Sequence, residues 1–88
     1  MGVIKASVLG FQKGLQVFER VELVRIISDQ YNLLILKDYM PVIGKVNGKV
    51  EIVLENSDDT EQFEHVSGFF MHRNNEFELL ITEDDYAK

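Results

Sequence analysis

Lys45-Val46-Asn47-Gly48-Lys49-Val50-Glu51-Ile52 is the stretch on which the fold turns. Asn-Gly between alternating segments favours a two-residue type I′ turn, because both residues tolerate positive φ. Beyond it the chain alternates: Val50, Ile52 and Leu54 fall on one side, and Lys49, Glu51 and Glu55 on the other. A period of two marks a half-buried strand. The stretch therefore predicts a β-hairpin. The only proline, Pro41, suits a strand start or edge, since it has no N–H to give to a ladder.

Towards the N-terminus the same period recurs. In Val3 to Leu9, Ile4, Ala6 and Val8 face one way, and Lys5 and Ser7 the other. Gly10 and Gly14 bracket a loop or hairpin turn. Leu15 and Val17 continue a strand face. Val21-Glu22-Leu23-Val24-Arg25-Ile26-Ile27 is rich in β-branched residues and becomes apolar on both parities, as a strand does when both faces are covered. A helix over 15–27 would place Leu15, Phe18, Glu22 and Arg25 on one face, a poor stripe, so strand is preferred. Ser28 to Asn32 is turn chemistry, and Leu33 to Leu36 a short buried strand.

Towards the C-terminus, Asn56 to Thr60 reads as an acidic loop, and Gln62 to Val66 resumes a strand. Ser67-Gly68 predicts a bulge or sharp corner. Phe69 and Met71 then alternate against Phe70 and His72, Asn74-Asn75 makes a hairpin turn, and Phe77, Leu79 and Ile81 line the last strand. Turns every 8–12 residues between about eight or nine short, mostly antiparallel strands predict an all-β domain, a small β-sandwich or flattened barrel. The expected organisation is one domain over 1–82 and a polar tail over 83–88.

Composition narrows the function. The chain has 88 residues, 45% of them hydrophobic, with a formal net charge of -6 and no cysteine. Disulfides and thiolate metal sites are excluded, so the core or a partner must supply stability. The basic residues are scattered singly, whereas phosphate binding needs them clustered, so no nucleic-acid partner is expected. No run of about 18 apolar residues predicts a membrane span. The start Met1-Gly2-Val3-Ile4-Lys5 is not that of a secretory signal, and Ala6 breaks the myristoylation pattern. A cytoplasmic protein is expected.

No chemical motif stands out. A metal site needs three or four converging ligands, and no spacing makes His65, His72 and Glu64 converge. Ser67 lies near His65 without the Gly-x-Ser-x-Gly elbow of a nucleophile. The glycines sit at single turns with no Gly-Lys-Ser/Thr after them, and Glu83, Asp84 and Asp85 lack the frame of a calcium loop. The expectation is a non-enzyme with no cofactor, no metal and no catalytic residue. Apolar residues at outward parity are the exception to this plainness. Val53 stands between Ile52 and Leu54, Leu80 between Leu79 and Ile81, and Phe70 next to Phe69. Val53, Phe70 and Leu80 are therefore the expected protein-contact residues.

The ordered segments resemble the N-terminal β-sandwich domain of the epsilon subunit of rotary ATP synthases. Ile4-Lys5-Ala6-Ser7-Val8 and Gly14 to Val24 are similar to its opening strands. Ile35-Leu36-Lys37-Asp38-Tyr39-Met40-Pro41 matches the ends of its Ile-Leu-Pro-Gly-His-Ala-Pro segment and lacks the middle. Val66-Ser67-Gly68-Phe69-Phe70, Asn74-Asn75-Glu76 and Phe77-Glu78-Leu79-Leu80 are similar to its Ser-Gly-Gly-Phe segment and the strand after it. Glu83 to Ala87 stands where the family has Ala-Asp-x-Ala-Glu. The resemblance spans nearly the whole chain as order and pattern. It implies a non-catalytic domain that contacts a gamma-like or c-ring subunit and transmits rotation, peripheral to a membrane complex. The family's C-terminal helical hairpin has no counterpart in these residues, so its inhibition of ATP hydrolysis and its ATP binding are not implied. The other expectation is a self-associating adaptor domain unrelated to ATP synthase, a homo-oligomer.

Overall fold

The computed structural model describes residues 3–10, 13–55 and 60–84. Six strands run in chain order: β1 (Ile4–Gly10), β2 (Gly14–Ser28), β3 (Asn32–Leu36), β4 (Val42–Leu54), β5 (Thr60–Arg73) and β6 (Glu76–Asp84). Their order is β1-β6-β5-β4-β2-β3, and an additional β1–β2 pairing closes β1, β6, β5, β4 and β2 into a ring. β3 lies outside that ring, along β2. All neighbours are antiparallel except β1 and β6. The protein is an all-β small barrel, flattened like a sandwich, as its alternation predicts.

Six strands replace the expected eight or nine because three of them are long: β2 changes partners midway, and β4 and β5 stay paired with each other while each gains a second neighbour midway. β2 pairs with β1 over its first half and with β4 and β3 over its second. The change falls at Arg20, whose φ of 62° marks a local kink where the ladder slips between Ile4 and Ala6. β5 kinks likewise at His65, φ 59°, where Glu64 and His65 together stand opposite Lys49. One extra residue bends a strand and increases its twist, which lets one strand serve both layers.

Asn47-Gly48 is not a hairpin turn. β4 runs straight through it, and the flanking residues pair with β5 on one side and with the end of β2 on the other. Asn47 is where the β2–β3 turn, β4 and β5 are tied together. Its Nδ2 donates to Asp29 Oδ2 at 3.2 Å, its Oδ1 accepts from Ser67 Oγ at 3.2 Å, and its N–H donates to Ser28 Oγ at 3.0 Å. Gly48 is needed for close approach: a Cβ there would overlap the Ile27 carbonyl oxygen. The positive-φ turn occurs instead at Asn74-Asn75, φ 52° and 60°, between β5 and β6. The expected bulge at Ser67-Gly68 is present as a slip in the β5–β6 ladder, and a Cβ on Gly68 would strike the Leu80 carbonyl.

The core draws on every strand. Ile4, Ala6 and Val8 of β1 meet Val24 and Ile26 of β2, Ile35 of β3, Val46, Val50 and Ile52 of β4, Phe70 of β5, and Phe77 and Leu79 of β6. Most are β-branched or aromatic, the residues that pack best on a pleated surface. β6 continues to Asp84, two residues into the stretch expected as tail, and 85–88 lie outside the described residues. The expected acidic loop at Asn56 to Thr60 also lies outside them, except Thr60, which opens β5.

Candidate interaction surface

Directly paired residues in a ladder point to the same face, so the registers of four strands define the outer surface. Leu15 pairs with Leu9, Leu9 with Leu80, and Leu80 with Phe69. This single row crosses β2, β1, β6 and β5. All four side chains are exposed, from 45% for Leu80 to 64% for Leu15. The next row on the same face is Val17, Ser7, Glu78, Met71 and Ile43. Beyond it comes a charged row, Lys5, Glu76 and Arg73. An apolar band bordered by compensated charges is the pattern of a contact surface with a polar rim. A shallow groove runs along the band between Leu9, Leu15, Ile43, Phe69 and Leu80.

The three expected contact residues fall in three different places. Leu80 lies in the exposed row. Val53 is half-buried on another outer face, in a row with Leu36, Leu23 and Thr60. Phe70 is not on the surface: it is 2% exposed and stacks on Phe77 with ring centroids 6.0 Å apart. The correction has a physical cause in His72. Phe70 and His72 share one strand face, and a face carrying a histidine reads as solvated. Here His72 is fully buried against Phe77, and Phe69 and Met71 take the outer side. No local signal marks Leu9, Leu15 and Ile43, since Leu9 follows Val8, Leu15 stands between Gly14 and Gln16, and Ile43 follows Val42; only the strand order brings them together.

The polar residues singled out above do not converge. His65 is exposed and His72 buried, on the same strand. The Ser67 hydroxyl donates to Asn47 rather than to a histidine. Among the described residues no three of His, Asp and Glu are grouped to hold a metal ion, and no helix is long and apolar enough to cross a membrane. Neither ring nitrogen of His72 has a hydrogen-bond partner among the described residues, and burial lowers its pKa. Glu51 keeps outward parity but is covered. Arg25 Nη1 lies 2.7 Å from its Oε1 and Lys49 Nζ 3.1 Å from its Oε2, and these bonds hold its carboxyl below the usual carboxylate range.

No family model matches the sequence, and no curated protein matches it. Among solved structures the chain is similar to one from Tetrahymena thermophila, a chain in a cryo-EM structure of the central stalk and c-ring of the mitochondrial ATP synthase. The two superpose with a TM-score of 0.73 and 14% identity, over 93% of this chain and 65% of that one. This chain thus spans less than two thirds of the length of its neighbour. At this identity the likeness is one of fold.

Proposed function

We propose that the chain is a non-catalytic protein-interaction domain of the ATP synthase epsilon N-terminal type. In this reading it docks on a gamma-like or c-ring subunit at the cytoplasmic edge of a membrane complex. The observation that carries it is the continuous row Leu15-Leu9-Leu80-Phe69, apolar and exposed across four strands. Fold likeness to a chain of a central stalk and c-ring assembly supports the choice of partner. Each of these side chains has about half its surface left to bury, roughly 1 kcal/mol apiece when a partner covers it. Four together would make a hydrophobic centre, with Lys5, Glu76 and Arg73 as a rim that fixes orientation.

The test is direct binding of the purified chain to the gamma and c subunits encoded in the same genome, read by calorimetry. Binding that is lost in Phe69→Ser and in Leu80→Ser, with the fold of both intact, supports the reading. Absence of binding by the wild type to either subunit overturns it.

A further inference from the structure

Residues 37–41 form a strap between β3 and β4. The strap leaves β3 after Leu36, which pairs with Leu23 on β2, and enters β4 at Val42, which pairs with His72 on β5. It belongs to no ladder. Its side chains are exposed, Met40 by 67%, except that of Tyr39, which packs against the core. The Tyr39 amide donates to the Leu36 carbonyl at 3.1 Å. A clasp to the β5–β6 turn does the rest: the Asp38 amide donates to Asn75 Oδ1 at 2.7 Å, and Asn75 Nδ2 donates to Asp38 Oδ1 at 3.0 Å. One side chain thus ties the strap to the opposite strands.

His72 stands where the strap meets the barrel. Its ladder partners are Val42, the first residue after the strap, and Phe77, the first inward residue after the clasped turn. The imidazole is fully buried, and neither nitrogen has a hydrogen-bond partner among the described residues. The core and the side chains packed against it, drawn from all six strands and the strap, include one other titratable group, Tyr39. The charged groups around this end are Arg73 and Glu76, paired across β5 and β6; Lys5 on β1; Lys37 and Asp38 on the strap; and Arg20 of β2, 3.1 Å from Glu55 just past β4. None of them bonds to the imidazole.

We propose that protonation of His72 opens this strap, which makes it a pH-sensitive lid on one end of the barrel. A charge without a partner is costly in an apolar core, so the imidazolium is driven towards water. Opening the ladders that flank His72 would break a series of backbone bonds. Opening the strap breaks only the Asn75 clasp, the Tyr39 turn and the packing of one ring. Local opening is therefore the less costly route, with Val42 as the hinge. Proton binding and opening are linked, so each favours the other. Burial keeps the imidazole neutral while the strap is closed, so the lid stays shut above about pH 6.5 and opens progressively below it.

The test is NMR of the folded chain, with His65→Ala to distinguish the two histidines. The His72 ring protons should titrate while the remaining spectrum stays native. Protection of the Tyr39 amide against hydrogen exchange should fall about tenfold between about pH 7.5 and 5.5 and be indifferent to low urea, the mark of a local opening. Asn75→Gly suits the φ of 60° at that position and removes both bonds of the clasp. It should lower Tyr39 protection throughout and move the His72 titration to higher pH. His72→Leu should make Tyr39 protection independent of pH, and it still decides should the glycine variant unfold. A His72 signal that stays fixed until the chain unfolds, a His72 titration unmoved by Asn75→Gly, or the same pH dependence of Tyr39 protection in His72→Leu would each overturn the proposal. None of these outcomes depends on binding to a gamma or c subunit.

Discussion

Phe69 and Leu80 stand opposite one another on β5 and β6 with about half of each side chain in solvent, 50% and 45% exposed. One residue along, Phe70 and Leu79 are also paired, and both are 2% exposed. The two ladder steps differ only in parity, yet one belongs to the surface and the other to the core. Gly68 permits the slip beside them, since a Cβ there would overlap the Leu80 carbonyl, and β5 keeps its period of two through it, with Val66, Gly68, Phe70 and His72 all turned inward.

This difference makes adjacent phenylalanines respond oppositely. Phe70→Ser removes a buried ring that stacks on Phe77 and leaves a hydroxyl in the core. Large-to-small changes of buried aromatics cost about 3–5 kcal/mol. A domain of this size has a total stability of only about 5 kcal/mol. The Phe70→Ser variant should be largely unfolded by circular dichroism at 25 °C. Phe69→Ser should keep a native spectrum and a melting temperature within a few degrees of wild type. Equal loss of structure in both would show that the outer row is also needed for folding.

Much of the fold is legible because its strands alternate: the positions of Ile4, Ala6, Val8, Val50, Ile52, Phe77 and Leu79 follow from period two alone. What sequence does not reveal is which strands continue through a turn signal. Asn47-Gly48 and Asn74-Asn75 look alike in composition, but only the second reverses the chain. The first is held extended by β2 and β5, which reach it from distant parts of the sequence. The contact surface is legible in part for the same reason. Leu80 shows itself by parity within one strand, whereas its neighbours Leu9 and Phe69 come from strands whose order no local signal gives.

The strand setting of Asn47 separates it from a turn residue. In a type I′ turn Asn47→Gly would be nearly neutral, because glycine suits positive φ. In β4 it removes the bonds to Asp29 and Ser67 and adds a flexible residue to a strand. The expected loss is about 1–2 kcal/mol in urea unfolding at unchanged slope. Gly48→Val should cost about 1–3 kcal/mol, through the clash with the Ile27 carbonyl. A neutral Asn47→Gly would contradict the tie at this point.

Glu51 should contribute to stability only where it is ionised. Arg25 and Lys49 hold its folded pKa below the unfolded value of about 4.3, so the folded state favours the carboxylate. Its contribution is complete above that unfolded value and disappears as pH falls through the folded one. Half of Arg25 is in solvent, so screening limits the pair to about 1 kcal/mol. Glu51→Gln should therefore be less stable than wild type at pH 7, and the gap should close towards pH 3. A constant gap between pH 7 and pH 3 would remove charge as the cause.

His72 acts in a different pH window. Burial lowers its folded pKa below the unfolded value of about 6.5, so the unfolded chain binds the proton more readily. Stability is then undiminished above about pH 6.5 and falls as pH drops from there towards the folded pKa. Glu51 is fully ionised over most of that interval, so the loss between about pH 6.5 and 5 belongs to histidine. His72→Leu should flatten the profile over this interval. It should also gain about 1 kcal/mol at pH 7, because two buried nitrogens without partners among the described residues are replaced by a side chain that needs none. Chemical denaturation at half-unit steps of pH gives the slope directly. An unchanged slope in His72→Leu, or a flattened one in His65→Ala instead, would assign the acid sensitivity elsewhere.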